Sequence, residues 1–158
     1  MYRLVLIALV IILSCNEQRA NDTSFNATKD TVEGIDEIDT AVKDIAGCYV
    51  SILKHDTALL KINNENGRIT GDLAYRRFQK DDNVGTIKGR VEDGLVIAAY
   101  TFQSEGITSV REVVFKIEGP NLIEGYGDIE MVGDTAAFKN ISQLKYEYAE
   151  PFVKGECK

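Results

Sequence analysis

Few residues have side chains that could do covalent or metal chemistry, because the chain of 158 residues has one histidine and three cysteines. His55 lies in a predicted turn, and the nucleophile that it would have to activate is Cys48. One histidine without any C-x-x-C spacing does not make a zinc site. Asp81, Asn83 and Gly85 have the spacing of a calcium loop, but plain turns require the same residue types. We therefore expect no catalytic residues, no metal site and no cofactor.

The first fifteen residues indicate where the protein is located. Arg3 precedes an apolar run over residues 4–13, which is too short to cross a bilayer because roughly twenty residues are needed. The tetrapeptide Ile-Leu-Ser-Cys at 12–15 resembles the bacterial lipobox, in which a signal peptidase cuts before a cysteine that receives a lipid. An ordinary signal peptide with an incidental cysteine is the alternative. We expect residues 1–14 to be a lipoprotein signal peptide and Cys15 to anchor the protein in the bacterial cell envelope, at the outer membrane.

The other two cysteines, Cys48 and Cys157, lie near the start and the end of the part that we expect to fold. If a lipid occupies Cys15, they are the two thiols that remain, and an oxidising envelope favours a disulfide between them. Two free thiols are the alternative. In the chain-entropy description, a bridge that closes a loop of about 110 residues stabilises the fold by about 4–5 kcal/mol.

Residues 15–46 have the composition of a lipidated cysteine followed by a flexible tether. Residues 16–46 contain eight acidic and three basic side chains with scattered apolar positions, which is typical of a segment that does not build a core. About thirty such residues reach on the order of 30 Å, enough to hold a folded domain clear of the lipid headgroups. We therefore place a single folded domain at 47–158.

The charge distribution argues against nucleic acid as a partner. The formal net charge is −7, and most of the excess acidity lies in the tether, since residues 47–158 carry 17 acidic and 14 basic side chains. No basic cluster is larger than the pair Arg76 and Arg77. A nucleic-acid surface would require a basic stripe or patch.

From residue 47 onward the pattern is typical of an all-β domain. Runs of seven to eleven residues are separated by turn sequences, and Asn66-Gly67 suits a type I′ hairpin turn. The stretch 95–117, interrupted by Ser104-Glu105-Gly106, predicts a long central hairpin. We expect an eight-stranded antiparallel meander curled into a barrel. Its strands lie near 48–53, 57–63, 68–78, 84–91, 95–103, 107–117, 121–129 and 135–140.

These features together resemble a group of small Bacteroidota envelope lipoproteins with no assigned activity. The residues that carry the resemblance are the lipobox, the acidic tether, GCY at 47–49, KDDNVGT at 80–86, YTFQSEG at 100–106, REVVF at 111–115, GYG at 125–127 and the C-terminal cysteine. The resemblance implies a lipid-anchored envelope protein and implies nothing about chemistry. The expected barrel also looks like a calycin, the lipocalin type, but the lipocalin Gly-x-Trp signature is missing because the chain has no tryptophan.

Arg111 is the candidate binding residue. A three-residue loop at 104–106 would place Arg111 on the inward face of the barrel near one mouth. A buried guanidinium needs a partner, and Glu105 or a tyrosine hydroxyl could supply it. Alternatively, Arg111 binds the carboxylate or phosphate of an amphiphilic ligand. The residues that we expect to line this site with Arg111 are Thr101, Leu95, Ile97, Val113 and Phe115.

Two classes of function fit this sequence. The domain could bind a small apolar or amphiphilic ligand in its interior, or it could be a structural or interaction module with a filled core that meets another envelope protein. An interior cavity of several hundred Å³ would favour the ligand, and a filled core would favour the protein partner. The sequence does not indicate an oligomeric state.

Overall fold

The computed structural model describes residues 45–147 and 149–157. The predicted signal peptide, the predicted lipidation site Cys15 and the predicted tether up to residue 44 lie outside this range. Among the described residues, no helix has the length and apolar character needed to span a membrane. Ile45, just before the predicted domain boundary, is 3% exposed, and its carbonyl accepts a 2.7 Å hydrogen bond from the Tyr49 hydroxyl.

The domain is all-β, as predicted, with one short 3₁₀ turn at Ile141–Gln143. The first six strands differ from their predicted bounds by at most two residues. The strands are β1 Gly47–Leu53, β2 Asp56–Glu65, β3 Arg68–Arg76, β4 Asn83–Glu92, β5 Leu95–Ser104, β6 Ile107–Glu118, β7 Asn121–Glu124, β8 Ile129–Val132, β9 Thr135–Phe138 and β10 Val153–Gly155.

The strands form one sheet in the order β10-β1-β2-β3-β4-β5-β6-β9-β8, and β7 also pairs with β6. The prediction of eight antiparallel strands differs from this structure in two ways. The predicted seventh strand stops at Glu124, and the additional strands β8 and β10 bring the number in the described residues to ten. In addition, β9 runs parallel to β6. β7 and β9 share the same edge of β6, and neither one extends along its full length.

The hydrogen-bonded ladder does not close into the predicted barrel. β7 and the C-terminal segment approach each other where Leu122 and Phe152 exchange backbone hydrogen bonds of 3.1 and 2.8 Å. This isolated bridge links β7 to the segment that leads into β10. The C-terminal segment returns to the first strand as expected, because β10 pairs with β1.

The central hairpin has a two-residue turn instead of the predicted three-residue loop. Glu105 and Gly106 have φ angles of 52° and 79°, as a type I′ turn requires, and Ser104 pairs with Ile107. The predicted Asn66-Gly67 turn has the same character, with φ angles of 53° and 82°. In the central hairpin, the shorter loop shifts the register of β5 against β6 by one residue from our expectation, and a one-residue shift exchanges the faces of one strand.

The main core lies on one face of the sheet, which we call the inner face. It consists of buried side chains from strands β1 to β7 and from the C-terminal segment, and its largest members, Tyr100, Phe115 and Phe152, are fully buried. A smaller core lies on the opposite, outer face, where Leu144 covers Ile97 and Val114. The inner face is therefore filled by side chains, and part of the outer face is covered by the chain after β9.

Candidate functional site

The structure divides the six predicted binding residues between the two faces. Arg111 pairs with Tyr100, Val113 with Ala98, and Phe115 with Val96, so that Arg111, Val113 and Phe115 share the inner face. Leu95, Ile97 and Thr101 do not belong to this group. Leu95 and Ile97 belong to the outer core, and Thr101 is exposed. The grouping was wrong because it depended on the three-residue loop.

Arg111 lies beside a buried carboxyl group that the sequence reasoning did not identify. Glu124, at the end of β7, is 5% exposed and faces Phe115 across the ladder. Its Oε1 accepts a 2.6 Å hydrogen bond from the Tyr75 hydroxyl, and its Oε2 accepts a 3.1 Å bond from the Tyr126 hydroxyl. Both oxygens of Glu124 are therefore hydrogen-bonded by tyrosines, one of them two residues away in sequence and the other on β3.

The guanidinium of Arg111 completes this group, which we call the Arg111 cluster: Arg111, Glu124, Tyr75, Tyr100 and Tyr126. Arg111 Nη2 lies 3.7 Å from Glu124 Oε1. Its central carbon lies 4.9 Å from the ring centroid of Tyr75 and 5.6 Å from that of Tyr100, within the range of cation–π contact. Arg111 Nε is buried and has no hydrogen-bond partner among the described residues.

The partner of Arg111 is thus neither of the two that we proposed from sequence. Glu105 is exposed in the β5–β6 turn, and the tyrosines meet Arg111 with their ring faces. The available signal was the alternation in β7. Leu122 and Glu124 lie on the same, buried face of this strand, so that an acidic residue occupies a position where an apolar residue is expected. Sequence alone did not show that this short strand would pack beside Arg111.

Burial controls the protonation of the cluster. It raises the pKa of Glu124 above its usual range, although the hydrogen bond from Tyr75 and the charge of Arg111 act in the opposite direction. Burial also raises the pKa of Tyr75 and Tyr126, and it raises the pKa of Tyr100 to about 12. The three phenols therefore stay protonated near neutral pH and act as hydrogen-bond donors. Tyr75 and Tyr126 donate to Glu124, and Tyr100 donates a 2.8 Å bond to the carbonyl of Asn83. Such phenols are poorly suited to proton transfer at neutral pH.

The residues that were considered for catalysis are not assembled into a site. Cys48 and Cys157 form a disulfide, as predicted, so that Cys48 has no free thiol for a nucleophilic role. His55 is exposed and lies 5.1 Å from the ring of Phe78. Within the described part of the chain, no group of three or more His, Cys, Asp or Glu residues could hold a metal ion.

A groove of about 680 Å³ opens on the outer face of strands β1 to β4. Its apolar lining includes Tyr49, Leu60 and Leu73 and a row of one outer-face residue from each strand, and the residues of this row are Val50, Leu59, Ala74 and Val84. They are successive cross-strand partners, since Val50 pairs with Leu59, Leu59 with Ala74, and Ala74 with Val84. Sequence reasoning missed this row, which appears only when four strands are aligned in register.

Charged residues line one part of the groove. Lys61 and Asp72 are cross-strand partners beside the apolar row, and both are exposed. Cys48 and Glu156 line the wall nearest the disulfide. A second cavity, of about 430 Å³, lies between the β3–β4 loop and the β5–β6 turn and is lined by polar residues of both charges, among them Arg77, Lys80, Asp81 and Glu105.

No family model, no curated protein and no solved structure matches this chain. The geometry described above is therefore the basis for a functional proposal.

Proposed function

We propose that this chain is a lipid-anchored protein of the bacterial cell envelope whose folded domain binds the apolar part of a small amphiphilic ligand. The ligand lies in the groove on the outer face of β1 to β4. The domain acts by binding and carries out no covalent chemistry. The groove of about 680 Å³ is the observation that carries this proposal.

The size and lining of the groove support a small ligand. Pockets for small molecules commonly have volumes of about 300–1,000 Å³ and are lined by apolar side chains with a few polar groups. The row of Val50, Leu59, Ala74 and Val84 is continuous, and Leu59 and Val84 remain 37% and 54% exposed. Covering such side chains with an alkyl chain is favourable by about 25 cal/mol per Å² of apolar surface.

The polar residues at the groove suit the head of an amphiphile. Lys61 and Asp72 lie side by side across β2 and β3, next to the apolar row. A headgroup placed there can donate to the carboxylate and accept from the ammonium group. The apolar row and this pair together give the ligand one preferred direction in the groove.

The ligand is proposed for the outer groove because the inner face is already occupied. Tyr100, Phe115 and Phe152 fill it, and Arg111 contacts Glu124 there instead of presenting a free cation. The bridge between Leu122 and Phe152 supports a calycin-like curvature of the sheet, but our proposal does not need an open interior.

The envelope location is proposed from the lipobox sequence at 12–15. Replacing Cys15 with Ala removes the sulfur that would carry the lipid. We expect the Cys15→Ala chain to leave the membrane fraction and to appear in the soluble fraction of the envelope. Unchanged membrane association would contradict the anchor.

Binding of lauric acid to the full chain carrying Cys15→Ala tests the groove. We expect saturable binding that is weakened about tenfold or more by Leu59→Gln, because this change puts an amide against the alkyl chain. Thr101→Gln is the matched control, since Thr101 is an exposed strand residue outside the groove lining. Equal binding by both variants, or no saturable binding, would refute the proposal.

A protein-interaction module is the second candidate. The filled inner face favours it, because this face leaves no open site for a ligand. One sheet edge also exposes apolar residues that an interaction partner could cover.

A further inference from the structure

Strand β8 forms one end of the sheet, and its exposed side chains are unusual for an edge. It is the last strand of the order, beyond β9. All four of its residues are exposed, and three of them are apolar: Ile129, Met131 and Val132, at 58%, 66% and 60%. Natural edge strands are commonly protected by short length, by charged side chains, especially lysine, by proline or by a bulge, because an open apolar edge is a template for another strand. β8 is short and carries one charge, Glu130. β8 contains no lysine, no proline and no glycine.

The alternation of hydrogen-bonded and non-hydrogen-bonded residue pairs in the β8–β9 hairpin identifies which backbone groups of β8 face the open edge. The amide of Lys139 donates a 2.9 Å bond to the carbonyl of Asp128, so that Asp128 bonds toward β9. In an antiparallel pair this role alternates along the strand. Glu130 and Val132 therefore also bond toward β9, whereas the N–H and C=O groups of Ile129 and Met131 point away from the sheet.

This edge is held in place before any partner arrives. β9 pairs with β8 over four residues and with β6 at Val110 and Arg111. The amide of Phe138 also donates a 3.0 Å bond to Glu112 Oε2 of β6. A strand that is already extended and anchored loses little conformational entropy when another strand is added to it.

The charged side chains of the edge segment itself are all negative, and Lys139 lies across from Asp128 on the inner side of β8. The segment 126–134 contains Asp128, Glu130 and Asp134 and has no lysine, arginine or histidine. All three acidic residues are exposed. A partner strand that carries basic side chains would find complementary charges along the whole edge.

The same charges oppose pairing between two copies of this chain. Antiparallel pairing must join the outward-facing residues, and the register with the largest overlap pairs Ile129 with Met131 of the second copy. That register places Glu130 directly opposite Glu130 of the other copy. A slip of two residues toward the start of the strand instead places Asp128 opposite Glu130. Like charges directly opposite each other destabilise a strand pair.

We infer that β8 is a docking strand that adds an extended segment of another protein to the sheet, and that this segment alternates apolar and basic residues. The backbone groups of Ile129 and Met131 form the new ladder. The exposed apolar side chains of β8 contact the apolar residues of the partner, and Glu130 with its acidic neighbours contacts the basic ones. This surface is separate from the ligand groove. The groove lies on β1 to β4, toward the other end of the strand order.

A synthetic peptide of sequence Lys-Val-Lys-Val-Lys-Val, blocked at both ends, tests this inference with the full chain by isothermal titration calorimetry. We expect saturable binding that weakens as salt is raised. The same peptide with N-methyl groups on alternate residues keeps its side chains. It loses the backbone N–H groups along one edge of the extended peptide, and these are the groups that would donate to β8. One of its two methylation patterns should therefore bind about tenfold more weakly or worse.

Two variants of the chain locate the binding to β8. Met131→Pro removes an N–H that faces the open edge. It breaks no hydrogen bond to β9, because the N–H of Met131 points away from β9. It should abolish binding, whereas Met131→Leu, which keeps the N–H, should not. Glu130→Lys reverses the charge in the middle of β8, so that the lysine peptide should bind this variant about tenfold more weakly, and Glu-Val-Glu-Val-Glu-Val should bind it better than it binds the natural chain. This second variant decides the question even if the proline variant does not fold.

Three results would overturn the inference. The first is the absence of saturable binding by the lysine peptide. The second is equal binding of both N-methylated peptides and the unmodified peptide. The third is a stable dimer of the full chain that Met131→Pro dissociates while Met131→Leu does not, because a second copy would then occupy the edge.

Discussion

The hydroxyl of Tyr75 donates a 2.6 Å hydrogen bond to Oε1 of Glu124, which is 49 residues away in sequence. Tyr75 belongs to β3 and Glu124 to β7, and three strands separate them in the sheet order. The bond therefore crosses the interior instead of following the ladder. Both groups are buried, so that the Tyr75 hydroxyl and Glu124 Oε1 satisfy each other's need for a hydrogen-bond partner.

A double-mutant cycle on Arg111 and Glu124 should show strong coupling. Arg111→Met keeps most of the side chain's bulk but leaves a buried carboxylate without its cation, and we expect the free energy of unfolding to fall by about 1–3 kcal/mol. Glu124→Gln should destabilise by a similar amount, whereas the double variant should lose clearly less than the sum. Urea denaturation measures all four proteins. Additive losses would mean that Arg111 and Glu124 do not interact across their 3.7 Å separation.

The raised pKa of Glu124 predicts a pH dependence of stability. The folded state holds the carboxyl proton more tightly than the unfolded chain, where the group has its ordinary pKa of 4.5. The stability that Glu124 contributes is therefore fully present below pH 4.5 and is lost as the pH rises through the folded-state pKa. Compared with Glu124→Gln, the natural protein should gain stability as the pH is lowered from 7 toward 4.5. Chemical denaturation of both proteins over this range measures the difference, and a relative loss of stability on acidification would contradict the prediction.

Removal of the disulfide should weaken the closure of the C-terminal segment onto β1. Cys48 and Cys157 are separated by 109 residues, and β10 pairs with β1 beside the bridge. We expect the Cys48→Ser, Cys157→Ser double variant to lose up to about 4–5 kcal/mol, because the unfolded chain regains the entropy of an open loop. The natural protein treated with reductant should show the same shift in its urea midpoint, and a midpoint that does not move would rule out a stabilising bridge.

Gly85 should not tolerate a side chain. A Cβ atom at this position would meet the Thr101 carbonyl and lie 2.6 Å from Phe102 Cα, both in the backbone of β5. We expect Gly85→Ala to destabilise by about 3 kcal/mol or more, because a backbone neighbour cannot move aside without breaking the β4–β5 ladder. Gly155→Ala is the control, since nothing lies within 4 Å of a Cβ there, and it should change stability by less than about 0.5 kcal/mol. Thermal unfolding compares the two, and equal midpoints would refute the steric argument.

Local sequence signals determined the fold class and most of the strand bounds. The Asn66-Gly67 turn, the first six strands and the Cys48–Cys157 disulfide follow from residue types and from cysteine number. Each of these depends on neighbouring residues or on a simple count. Such signals are strong because turn chemistry and alternation act over a few residues.

The tertiary structure decided which residues meet. One residue fewer in the turn at 105–106 moved Leu95, Ile97 and Thr101 to the outer face. Glu124 lies near Arg111 because β7 pairs with β6, on which Arg111 also lies. Strand alternation assigns the faces of a single strand, but the register between strands and the choice of neighbours depend on contacts between distant parts of the chain. For this physical reason the buried cluster, the outer groove and the open edge at β8 were found only in the folded protein.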